Sequence, residues 1–189
     1  MKFKTSINLS SFKAKPTKRE IATISKNFKT IEVNLKELNE YFANGYTFAP
    51  AVFKNNKRNN DSFCSQQVFA LDFDDGDKPK DKIKALADYN IKSNILYYSF
   101  SHTIQHPKFR LVIVLDTSID DKKMRNKIQQ ALMDIAGGAD KSCKDSARMF
   151  FGGKTSKVIH QELNVYNDIL PALHAHINSN VSKPTQRAN

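Results

Sequence analysis

Three apolar runs, residues 67–73, 94–101 and 109–115, constrain the fold of this chain more than any other feature. They are short and rich in β-branched and aromatic side chains, so they read as strands of a buried sheet. A polar stretch, 101–108, separates the second from the third and suggests a long hairpin or a short crossover. Helical signals surround them. Thr17 with Glu20 three residues later reads as a capping box opening a short helix toward Lys26, and Asn34 with Glu37 as another helix start. Leu35, Leu38 and Phe42 then recur at helical spacing until Gly45. Residues 82–89 place Ile83, Leu86 and Ala87 on one face. The longest helix is expected over 120–136, lined by Met124, Ile128, Leu132 and Ile135 and stopped by Gly137-Gly138. Residues 31–33, 148–152 and 157–160 are short strand candidates, and 168–177 is a last helix interrupted early by Pro171.

Strands and helices alternate without a repeat or a linker, so an α/β or α+β sandwich around one central sheet is expected. Residues 1–177 read as one domain and 178–189, polar and uncapped, as a disordered tail. With 189 residues, 40% of them hydrophobic, the chain can build a proper core. Its net charge of +11 calls for an anionic partner. Nucleic acid suits this better than anionic lipid, because the cations are spread along the chain. The longest apolar run, 94–100, is also far below the roughly 20 residues of a membrane span, so no membrane is expected. The segment 54–62, KNNKRNNDS, is either a mobile surface loop or a nucleic-acid contact. The first residues carry Lys without an apolar core and do not resemble an export signal. Cys64 and Cys143 lie in no CxxC pair, which argues against structural zinc and fits a reducing cytoplasm.

The motif with most chemistry is Val68-Phe69-Ala70-Leu71-Asp72-Phe73-Asp74-Asp75-Gly76. Residues i and i+2 of a strand share a face, so Asp72 and Asp74 project side by side. Their repulsion would raise one pKa unless a cation intervenes, and carboxylate oxygens suit Mg²⁺ or Mn²⁺. A solvated turn is the plain alternative. A phosphatase of the haloacid dehalogenase type also starts with an apolar strand and DxD, but Asp75-Gly76 breaks its continuation. The second constellation is Tyr97-Tyr98-Ser99-Phe100-Ser101-His102-Thr103 followed by His106-Pro107-Lys108-Phe109-Arg110. Lys108 and Arg110 share one strand face beside hydroxyls and imidazoles, a set suited to a triphosphate. The alternative is an exposed hairpin kept soluble by its charges. His106 reads as ordinary surface. After the long helix come Asp140, Asp145 and Arg148; a third carboxylate would complete a two-metal site.

Together these pieces resemble the archaeo-eukaryotic primase superfamily, in particular the small primase-polymerases of plasmids, phages and mobile elements. The resemblance extends over about 67–153: a strand ending in DxD (Asp72, Asp74), a Ser/His element (Ser99–His102), and an Asp followed by an Arg beside a strand (Asp140, Arg148). It implies an RRM-like antiparallel sheet flanked by helices, with a second small α/β layer and the active site in the cleft between. Asp72, Asp74 and Asp140 would be catalytic and hold Mg²⁺ or Mn²⁺. Ser99, Ser101, His102, Lys108, Arg110 and Arg148 would bind the nucleoside triphosphate. Phe100 occupies the place two before His102 where the family carries Ser, so Ser99 and Ser101 both stay candidates. Asp145 competes with Asp140, which is preferred for its spacing to Arg148. A single-stranded DNA template and a separate replicative helicase are the implied partners. A non-catalytic DNA-binding replication protein with a primase-like fold is the alternative. A rolling-circle initiator ranks lower, because no His pair has its spacing in a suitable place; His174 and His176 read as helix surface.

Overall fold

The computed structural model describes the backbone of residues 1–181 and the side chains as far as His176. Its elements, in order, are β1 (Phe3–Ser11), α1 (Lys18–Ile24), β2 (Phe28–Val33), α2 (Leu35–Ala43), β3 (Tyr46–Ala49), β4 (Ala51–Phe53), β5 (Phe63–Phe73), α3 (Pro79–Ala87), β6 (Ile95–Ser99), β7 (Phe109–Ile119), α4 (Lys122–Ala136), β8 (Gly153–Val158) and α5 (Tyr166–Val181). The three apolar runs become β5, β6 and β7. They are the inner strands of a five-stranded antiparallel sheet ordered β4-β5-β7-β6-β8, so the polar stretch 101–108 is a hairpin connection. Helix α4 covers one face of this sheet and α5 packs on α4.

A second antiparallel sheet, β2-β1-β3, supplies the second small layer that the resemblance implies, where the alternation of elements alone gave one central sheet. Its central strand hides its period because buried positions on β1 are polar. Thr5 Oγ1 donates to the Ala49 carbonyl at 3.1 Å and Ser6 Oγ to the Ala51 carbonyl at 2.7 Å. Asn8 Nδ2 donates to the Ile24 carbonyl at 2.7 Å. Buried polar atoms with such partners cost little; the Thr5 and Ser6 bonds tie β1 to the chain on either side of Pro50, and the Asn8 bond ties it to the end of α1. A small second core fills the space between the halves: Ile24, Phe28, Ala49, Ala51, Phe53 and Ala147, with Phe12, Met149 and Phe151 against it.

Both capping boxes form. Thr17 and Asn34 accept the backbone N–H of Glu20 and Glu37, whose carboxylates accept the cap N–H in return. The longest helix is α5, with 16 residues against 15 in α4, because the chain passes through Pro171 without a break. This helix runs to Val181 and so takes in the first four residues, 178–181, of the expected tail, and 182–189 lie outside the described residues. The expected strand at 148–152 is reduced to one bridge, Phe150 with Phe48. That bridge, with N–O distances of 2.9 and 2.8 Å in its two directions, fastens the entry of β8 to the second sheet. Gly152 permits the approach, since a Cβ there would meet the Gly45 carbonyl carbon at 2.5 Å.

Candidate active site

The site grows from the pairing of β5 with β7. Asp72 lies opposite Arg110 and Phe73 opposite Phe109, so one further step sets Asp74 opposite Lys108. The two acids of one strand thus face the two cations of the other. Arg110 Nε lies 2.9 Å from Asp72 Oδ1 and its Nη2 3.4 Å from Oδ2, a two-pronged pair. Arg110 Nη1 donates to the Phe151 carbonyl at 2.7 Å, so all three guanidinium nitrogens are engaged inside the fold. Lys108 Nζ stands 3.8 Å from Asp74 Oδ1. Asp72 is buried and Asp74 half exposed. Burial pushes the Asp72 carboxyl above its ordinary pKa, against the pull of Arg110. Burial also works against the Arg110 cation, but Tyr97 and Asp72 outweigh it and raise its pKa.

Asp140 joins this pair through the backbone. Its N–H donates to the Asp72 carbonyl at 2.8 Å, and its carboxylate accepts the Ser142 N–H at 2.9 Å, starting a 3₁₀ turn over Lys141–Lys144. Burial opposes the Asp140 anion, yet the Ser142 hydrogen bonds and the Arg148 charge hold its pKa below the usual value. The Arg148 guanidinium then sits between two acids, with Nη2 3.5 Å from Asp140 Oδ2 and 3.9 Å from Asp72 Oδ2. Asp145 is held by other partners; its Oδ1 accepts from Asn60 Nδ2 and the Ala147 N–H, both at 2.9 Å. The turn is held from below by Arg125, a buried residue of α4 that donates to the Lys144 carbonyl at 2.6 Å and to Gln66 Oε1 at 2.8 Å. Burial lowers its pKa to about 10, against the opposing pull of Asp145.

A cavity of about 410 Å³ opens beside these groups. Asp72, Asp74, Ser99, Ser101, Arg110 and Arg148 line it, as does Asp145, the competing third acid, together with Lys15, Arg58, Met149 and Phe151, to which the motifs gave no role. Only the basic character of 54–62, just before the DxD strand, hinted at Arg58. Three buried donors in this wall, Arg58 Nε, Ser99 Oγ and Arg148 Nε, have no hydrogen-bond partner. Asp140, His102 and Lys108 do not line the cavity. The His102 ring packs on Tyr98 with centroids 4.1 Å apart, and Nδ1 accepts the Lys108 N–H at 3.2 Å. The ring proton therefore resides on Nε2. Burial, helped by Lys154, lowers the His102 pKa, so the imidazole is neutral at pH 7. His106 is tied to the site's margin, its Nε2 2.8 Å from the Asp74 carbonyl oxygen.

Among the described residues, no three acidic, His or Cys side chains converge as a metal cage, and no helix is long and apolar enough to cross a membrane. Cys143 is buried in the turn after Asp140, and burial pushes its thiol up to about 11, whereas Cys64 is exposed. Only thiolates alkylate readily. Iodoacetamide at pH 8 is therefore expected to label Cys64 alone in the native protein and both thiols in urea, read by peptide mass. Native labelling of Cys143 at a similar rate would contradict the packing of the turn.

Among the described residues, two antiparallel sheets and five α-helices form an α+β fold around this cleft of acids and arginines. The fold is similar to that of the archaeo-eukaryotic primase (AEP) domain of the primase-polymerase (PrimPol) of cyanophage S-2L. The TM-score is 0.52 over 91% of this chain and 88% of that one, with 13% of residues identical. At that identity the likeness is one of fold. No protein-family profile matches the sequence, and no curated protein does.

Proposed function

We propose that this chain is a primase-polymerase, joining a nucleoside triphosphate to a 3′-hydroxyl on a single-stranded DNA template in the replication of a mobile element. The observation that carries the proposal is the meeting of Asp72 and Asp140 on either side of one guanidinium, beside a cavity with unpartnered buried donors. Acids and arginines so close suit a ligand that brings phosphates and cations together. The AEP-like fold supports the same class of chemistry.

Hard carboxylate oxygens such as those of Asp72, Asp74 and Asp140 are the ligands that Mg²⁺ or Mn²⁺ take, although the three do not converge as a cage where they stand. Arg148 is the stand-in, a cation already shared by two of these acids. When bound, the metal would lower the pKa of the attacking hydroxyl and neutralise charge on the phosphates. Arg110 holds Asp72 in place, because its nitrogens are committed within the fold. Arg148 and Ser99 are free to donate to phosphate oxygens through Nε–H and Oγ–H. Asp74 and Lys108 stand at the exposed mouth.

The test is incorporation of labelled nucleotide on single-stranded DNA, with ribo- and deoxyribonucleotides in turn and Mg²⁺ or Mn²⁺ present. Incorporation that stops on adding EDTA is expected. DNA binding without incorporation of any nucleotide would replace this proposal with that of a non-catalytic replication protein.

A further inference from the structure

A second hollow adjoins the catalytic cavity and differs from it in chemistry. It measures about 290 Å³ and meets the cavity at Phe100, which lines both. Phe12 and Phe100 are half-buried rings in its wall, and Lys13 and Lys154 are exposed cations there. No carboxylate lines it, whereas three aspartates line the neighbouring cavity. Gly153, at the start of β8, lets the hollow's floor lie close against β6, since a Cβ there would meet the Tyr98 carbonyl oxygen at 1.9 Å. Lys13 and Lys15 are two apart between β1 and α1, and Lys15 reaches the first cavity while Lys13 stands at the second. The two hollows therefore share one line of cations.

We propose that this hollow, built from Phe12, Phe100, Lys13 and Lys154, is a binding site for single-stranded nucleic acid that leads the strand into the catalytic cavity. The chemistry selects the ligand. Cations without acids attract a phosphate backbone, and rings left half open offer a stacking face to an unpaired base. A duplex keeps its bases stacked on each other and cannot use the rings. An isolated triphosphate would find no ring-and-phosphate spacing to fill here that the first cavity does not already supply. The site rests on the primase-polymerase proposal for its purpose, but its binding can be measured without any chemistry.

The experiment is fluorescence anisotropy of a labelled short oligothymidylate with the full chain, in EDTA and without nucleotide, over a salt series. Lys13→Ala with Lys154→Ala, both exposed, should weaken binding about tenfold. The double variant should also flatten the slope of log affinity against log salt by about 1.4, since each lost single-strand phosphate contact removes roughly 0.7. Phe12→Leu, which keeps apolar packing against the second core, should weaken binding about fivefold or more with the slope unchanged, as loss of stacking does. Wild-type affinity and slope in the double lysine variant, or equal affinity of the wild type for a duplex of the same length, would overturn the site. Failed incorporation with this binding pattern intact would instead overturn the catalytic proposal and leave the site standing.

Discussion

Arg110→Met is expected to cost the fold about 3–5 kcal/mol at pH 7 and to abolish nucleotide incorporation. The cost comes from Asp72, which is buried and would lose the guanidinium that spans both of its oxygens. Even with Arg110 present, burial holds the Asp72 pKa above its ordinary value. Without Arg110 it must rise further, and the carboxyl will take up a proton to escape the cost of its charge. The sign of the pH dependence follows. A folded-state pKa raised above the unfolded value gives stability that is present below the unfolded pKa and lost as pH rises through the folded one. The deficit of Arg110→Met should therefore shrink as pH falls toward the unfolded carboxylate value of about 3.9. Pairing it with Asp72→Leu removes the orphaned charge, and stability should return to within about 2 kcal/mol of wild type while activity stays absent. Urea denaturation across pH measures all three proteins. A loss under about 1 kcal/mol in the single variant would mean that Asp72 does not depend on Arg110 as its buried partner.

That ionic ladder shows how far the sequence could be read. The period of two in a strand was enough to place Asp72 with Asp74 and Lys108 with Arg110. It could not show that the two pairs face each other, because pairing depends on a register set by the whole of β5 and β7. Strand β1 was illegible for a different reason. Thr5, Ser6 and Asn8 look exposed in a pattern of polar and apolar letters, yet each is buried and bonded to a backbone carbonyl. Without β1 the second layer rested on the resemblance alone, and Lys15, which follows β1, had no place in the site. The preference for Asp140 over Asp145 came from spacing alone. What seats Asp140 beside Asp72 is a backbone hydrogen bond that no motif contains. The Ser/His element was legible as a loop between strands, but not the turn that sends Ser99 to the cavity and lays His102 on Tyr98. Neighbouring residues of a strand face opposite ways, so a shared motif does not secure a shared site.

Arg148→Ala is expected to have two opposite effects. Incorporation should fall by about 10²–10³-fold, the usual loss when a donor to developing charge is removed from a preorganised site. Binding of Mn²⁺ without nucleotide should become tighter, read by electron paramagnetic resonance of the free ion. The reason is competition for the same oxygens. Asp140 Oδ2 and Asp72 Oδ2 lie 3.5 and 3.9 Å from the Arg148 guanidinium, and a divalent ion entering between them must displace it. Arg148 Nε, buried and without a partner, leaves the side chain incompletely satisfied where it stands. A triphosphate would offer the guanidinium better acceptors and draw it away from the acids, so nucleotide and metal should bind with positive coupling in the wild type. Adding a non-hydrolysable triphosphate should therefore tighten Mn²⁺ binding more in the wild type than in Arg148→Ala. Arg148→Lys should keep a charge near the acids but lose the fork, restoring weak Mn²⁺ binding without restoring the rate. If Mn²⁺ binds Arg148→Ala no better than the wild type, the acids are not held by Arg148 in place of the metal, and the coupling must arise elsewhere.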